Sequence, residues 1–176
     1  MRNLTALIIS ASVALSSAAV AYAQENPLPK SGDTLVRYGE DIEGWTVYAN
    51  KTRGDCLIVS SFGPGSVQMG VAKDRAVGYL GVFTKLDIGV KDGVKQIFVD
   101  IDGHFYAGVV TTAGQLADGY SGGYIMTDDP AFKRDVAKKY TMTVFPQTQA
   151  AFDVDLRGTY KAMAAGRKCL SEQKPS

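Results

Sequence analysis

From Trp45 onward the chain alternates. In WTVYAN (45–50) Trp45, Val47 and Ala49 fall on one side of a two-residue period, opposite Thr46, Tyr48 and Asn50, the pattern of a strand with one buried face. After the turn KTRGD, the segment CLIVSS (56–61) is apolar enough for a strand buried on both faces, and the pair predicts a hairpin. FGPGS breaks the chain, and VQMGVAK (67–73) then sets Val67, Met69 and Val71 together. GYLGVFTKLDIGV (78–90), VKQIFVDI (94–101) and FYAGVV (105–110) follow, separated by the short turns KDG and DGH. Short Gly and Asp turns between strands predict antiparallel meanders rather than βαβ units. The stretch AGQLADGYSGGY (113–124) reads as a flexible connection.

Twice the period changes to that of a helix. In DDPAFKRDVAKKY, Asp129 is placed to cap a helix with Pro130 at its first position, while Phe132, Val136 and Tyr140 recur at helical spacing. Lys138 and Lys139 lie at its end, where the helix dipole favours cations. Strands at 141–145 and 151–156 precede a closing helix in RGTYKAMAAG, whose apolar residues are Tyr160, Met163 and Ala164 and whose C-terminal cap is expected at Gly166. The fold class predicted is mainly β: a single antiparallel β-sandwich or partly closed barrel with two short helices, at about 130–140 and 158–165. Nineteen glycines in 176 residues suit a turn-rich sheet protein.

The first residues change the picture of where this sheet folds. Arg2 gives a positive start, Leu4 to Val20 is small and apolar, and Ala21-Tyr22-Ala23 fits a small-x-small cleavage site. That is the layout of a secretory signal. Residues 1–23 are read as the signal, 24–34 as an extended leader with two prolines, and 35–176 as one β-rich domain. Cleavage removes Arg2 and no acid, so the formal charge falls from +1 to zero, which argues against nucleic acid as a partner. No further segment predicts a membrane span, and the expected location is periplasmic or secreted. In an oxidising compartment Cys56 and Cys169 are expected to pair, closing a loop of roughly 110 residues and fastening the last helix to an early strand. Two free thiols, one buried and one exposed, are the other reading.

Candidate chemistry is sparse. His104 is the single histidine, so a His-based metal cluster cannot assemble within one chain. With Asp100 or Asp102 it would make an acid–base pair, but Asp-Gly is a hairpin signal and a turn explains the segment. A calcium loop counted from Asp100 meets Thr111 where its glutamate should be. Asp128 and Asp129 are accounted for by a helix cap, and Asp153 and Asp155 by one solvated strand face. The Gly-rich 113–124 stretch lacks the spacing of a phosphate loop. Its tyrosines, Tyr120 and Tyr124, suggest a contact surface instead, because tyrosine offers apolar area and a hydroxyl at low entropic cost. Asn50-Lys51-Thr52 matches a glycosylation triplet. No catalytic residue, cofactor or metal is expected.

GWTVYANKTRGDCLIVSS, followed late in the chain by SGGYIMTDDPAFKRDVAKKYTMTVFPQTQAAFDVDLRGTYKAM, resembles the opening and closing blocks of the invasion-associated locus B family of bacterial envelope proteins, with Leu156 and Gly158 as the family's L-x-G. The chain departs from the family where members often carry further cysteines, at Tyr48 and at 121–124, and its aromatic after Gly158 arrives at Tyr160. The resemblance implies a periplasmic or outer-envelope protein, in some pathogens associated with host-cell invasion, and brings no catalytic residues. The function expected is a non-enzymatic binding or interaction module whose partner is a protein or envelope surface component. The alternative is a periplasmic carrier of a small apolar ligand, lined by residues such as Met69, Phe83 and Phe98; a hydrolase built on Asp100, Asp102 and His104 is a third reading.

Overall fold

Ten strands in one antiparallel sheet bend around a core that two helices complete. The computed structural model describes residues 32–71, 77–89, 95–110 and 119–173; the expected signal, 1–23, and the leader up to residue 31 lie outside the described residues. The strands are β1 (Leu35–Arg37), β2 (Thr46–Asn50), β3 (Asp55–Phe62), β4 (Gly65–Val71), β5 (Gly78–Thr84), β6 (Gln96–Ile101), β7 (His104–Val110), β8 (Ser121–Thr127), β9 (Thr141–Val144) and β10 (Phe152–Asp155). The helices are α1 (Pro130–Lys138) and α2 (Thr159–Glu172). The order across the sheet is β1-β2-β3-β4-β5-β8-β7-β6-β9-β10, and it does not close into a barrel.

The sheet nevertheless folds over itself in the manner of a sandwich. Phe62, at the end of β3, and Phe152, on the far edge strand β10, bring their rings to 5.3 Å. Buried between the halves are Val47, Val67, Val82, Ile97, Val99, Met142 and Val144, all fully shielded from solvent. Trp45 seals one side: its ring is buried and its indole N–H donates to the Arg157 carbonyl at 3.0 Å. The Trp45, Val47 and Ala49 set expected on one face does enter this core. The opposite face is not solvated, however. Tyr48 of β2 meets Leu57 and Val59 of β3 in a second buried cluster, with Leu35 and Tyr79 against it.

Local chemistry fixes the turns and helix ends. Between β6 and β7, Asp102 and Gly103 take φ of 56° and 83°, the positive pair that a two-residue hairpin turn requires. The Asp100 carboxylate accepts the Gly103 N–H at 2.6 Å and tightens that turn. Asp129 caps α1 by accepting the Ala131 N–H at 2.8 Å, and Pro130 opens the helix, as its spacing predicts. Leu156 is buried, and Gly158 turns the chain into α2 at φ 82°, where a Cβ would stand 2.7 Å from the Glu43 Cβ and 3.0 Å from the Ile42 carbonyl oxygen. That close approach is the physical content of the L-x-G segment. The Thr159 hydroxyl lies 2.7 Å from both the Val136 and the Leu156 carbonyls, tying α2 to the end of α1.

Three expectations are corrected. The closing helix does not stop at residue 165: it runs to Glu172, and Gly166 sits inside it, because the absent side chain lets α2 approach Ile58 of β3. Cys169 is therefore a helical residue rather than the start of a tail. Tyr140 lies past the end of α1 and is 75 % exposed, and Tyr160 of α2 is 62 % exposed, so neither anchors its helix. The last four residues of the supposed flexible connection, 121–124, belong to β8 (Ser121–Thr127), an interior strand between β5 and β7; residues 111–118 lie outside the described residues. The sulfurs of Cys56 and Cys169 lie at bonding distance, with the Cα atoms 6.1 Å apart and the two residues separated by 113 positions in sequence. Among the described residues no cysteine is free.

Candidate functional site

The hairpin turn separates the candidate acid–base residues. Asp100 is committed to the Gly103 N–H, while Asp102 accepts from the Lys139 ammonium at 2.7 Å. His104 directs Nδ1 to Asp135 of α1, 3.1 Å away, so the three do not converge. Asp135 was not foreseen as a partner. It is buried and also accepts the Tyr106 hydroxyl at 2.8 Å. The Tyr106 hydrogen bond, with help from His104 and Arg134, holds the Asp135 carboxyl below the ordinary aspartate range despite its burial. Burial, and next the Asp135 carboxylate, push Tyr106 up to about 12. The group joins α1 to β7 and orders both.

The strand carboxylates Asp153 and Asp155 are also engaged. Asp153 accepts from the Thr143 hydroxyl and Asp155 pairs with Arg157, both on an exposed face. Asn50 is buried, donates to Asp33 and accepts from the Thr52 and Arg53 amides, which leaves its side chain engaged. Among the described residues no group of three or more His, Cys, Asp or Glu side chains could hold a metal ion. Thr111, the twelfth position of the calcium count, lies outside them.

Tyr120 and Tyr124 lie on different surroundings. Tyr120 precedes β8, half-buried, with the Lys85 ammonium 5.2 Å above its ring. Tyr124 is inside β8 and lies across Gly81, where a Cβ would be 2.7 Å from its ring. Its ring packs edge-on against Tyr79 and Phe83, at 5.6 and 5.2 Å, and burial raises its hydroxyl's pKa. Gly81 is what allows the ring to lie flat on the sheet.

Beside Tyr124 the outer face turns openly apolar. Val109 of β7 pairs with Tyr124, and alternation puts Phe105 and Ala107 on the same side as Val109, and Met126 on the same side as Tyr124. Phe105 is 65 % exposed, Val109 70 % and Met126 53 %. On β6, half-buried Phe98 pairs with Ala107 and extends the stripe. Sequence reading took FYAGVV as a strand but did not mark its outer positions. The signal was there: 105, 107 and 109 are all apolar where a solvated face would alternate to polar.

A second feature lies on the inner face, where α1 and α2 leave a gap over the sheet. The cleft has a volume of about 260 Å³. Ile58, Met69 and Leu80 form its floor, and Phe132, Met163 and Leu170 its walls. Lys133 of α1 and Arg167 of α2, both exposed, line it as well. Of the three residues named for a ligand cavity, Met69 lines this cleft. Phe83 is fully buried beneath Tyr124 and Phe98 belongs to the outer stripe.

No helix among the described residues is long and apolar enough to cross a membrane. Neither a protein-family model, nor a curated protein, nor a solved structure matches this chain.

Proposed function

We propose that this protein is an exported, non-catalytic binding module of the bacterial envelope, of the kind represented by the invasion-associated locus B family, and that it captures its partner on the outer face of β6, β7 and β8. The observation that carries the reading is the stripe formed by Phe105, Val109 and Met126, more than half exposed on interior strands of the sheet. Their backbone pairing is already used within the sheet, so nothing among the described residues requires these side chains to be apolar. Contiguous exposed apolar surface of this sort marks interaction sites. Tyr124 at its margin, and Tyr120 at the start of β8, supply the amphipathic rim that such surfaces favour. The Cys56–Cys169 bridge agrees with an oxidising destination, periplasmic or secreted.

The test is a double substitution, Val109→Lys with Met126→Lys. Both side chains point into solvent, so folding stability should change by no more than about 0.5 kcal/mol. On size-exclusion of detergent-free envelope extracts, the wild-type chain is expected to migrate with its partner and the variant alone. A variant that keeps the wild-type elution position would refute the assignment of this face.

A further inference from the structure

We propose that the cleft between α1, α2 and the inner face of the sheet is a second, separate site, and that it takes a single-chain amphiphile with an anionic head, an acyl carboxylate of medium length. The floor and walls are hydrocarbon: Ile58, Met69 and Leu80 below, Phe132, Met163 and Leu170 at the sides. Among the described residues no carboxylate lines the cleft, while two cations do, one from each helix. Among the described residues neither Lys133 nor Arg167 takes part in an ion pair, although seven other pairs occur in the same structure. An apolar trough with two uncommitted cations is complementary to a molecule that is apolar along its length and negative at one end. Arginine suits a carboxylate head because its planar fork matches the two oxygens.

Size narrows the class. At about 260 Å³ the cleft falls just under the usual range for drug-sized ligands, roughly 300–1,000 Å³, which favours a short single chain over a sterol or a two-chain lipid. Glycine keeps the space open. Gly78 lines the cleft, and a Cβ there would meet only ordinary contacts, the nearest being the Lys133 Cε at 3.5 Å. Gly78 on β5 thus leaves one wall of the trough free of side-chain bulk, while Gly166 lets α2 close over its other end against Ile58.

Calorimetric titration of the full processed chain, disulfide intact, with decanoate and with decanol separates head from tail. Saturable one-to-one binding of decanoate is expected, about tenfold tighter than decanol because charge-assisted hydrogen bonds are lost with the carboxylate. Gly78→Val, which fills the trough with a residue favoured in strands, is expected to abolish binding. Lys133→Met with Arg167→Met alters only exposed side chains and is expected to reduce decanoate to the affinity of decanol. Absence of saturable binding, equal affinity of the wild-type chain for the two probes, or undiminished decanoate binding in either variant would overturn the proposal.

Discussion

Replacing both Cys56 and Cys169 by alanine releases α2 from β3, and the size of the effect follows from where the two residues lie. They are 113 residues apart in sequence. The chain-entropy treatment of a loop that long gives a loss of about 4.8 kcal/mol at 25 °C, nearly all of it from the greater freedom of the unfolded chain. Both side chains are also buried, Cys56 at 6 % exposure and Cys169 at 0 %, so each missing sulfur costs about 1 kcal/mol more, as a deleted core methyl would. Urea unfolding followed by far-UV circular dichroism separates the two contributions. Wild-type protein in reductant keeps the sulfurs and should lose about 4.8 kcal/mol, whereas the double variant should lose about 6–7. The slope of free energy against urea should rise in both, since an uncrosslinked unfolded chain exposes more surface. A reduced wild type within about 1 kcal/mol of the oxidised protein, or an unchanged slope, would refute the reasoning.

Other substitutions probe the remaining joints. Gly158→Ala puts a side chain at φ 82° and against the Ile42 carbonyl; a loss of about 1–3 kcal/mol in the same urea assay is expected, and a neutral result would contradict the account of the L-x-G turn. Asp135→Asn removes the charge that accepts from Tyr106 and His104, with an expected cost of about 1–2 kcal/mol at neutral pH. Because the Asp135 pKa is lowered in the folded state, its contribution is complete above the ordinary aspartate value of 3.8 and is lost as pH falls through the lowered one. The wild type and Asp135→Asn should therefore converge in stability in acid, and a gap that persists or widens there would contradict the pairing. Intact mass of protein isolated from its host is expected to correspond to residues 24–176 less two hydrogens, and to be unchanged by alkylation without reductant. Retention of residues 1–23, or two alkylated thiols, would contradict export and bridging.

The strands at WTVYAN and VQMGVAK and the Asp-Gly turn were legible in sequence because each follows a local rule, a two-residue period and a turn with positive φ, whereas the burial of Tyr48, Asn50 and Gln68 on the second face of β2 and β4 was not. The cap at Asp129 was legible for the same reason. What stayed hidden depends on distant neighbours. Gly122 and Gly123 look like a flexible joint, yet they sit inside β8 because a Cβ at Gly122 would run into the Val82 carbonyl oxygen, and one at Gly123 into that of Val109. Gly166 looks like a helix cap, but the requirement it meets is the proximity of Ile58. The cleft was equally invisible, since its cations come from two helices and its floor from three strands. Tyr124 was noticed for its chemistry and misplaced in its setting, and the apolar face beside it emerges only when β7 and β8 are paired.

The central claim is that this face meets a partner in the envelope, and site-specific photocrosslinking in intact host cells tests it most directly. A photoreactive side chain at position 109 should give one discrete crosslinked species, while the same group at position 160, also more than half exposed but on α2, should give none. Crosslinking at 160 and not at 109, or no discrete adduct at 109, would contradict it.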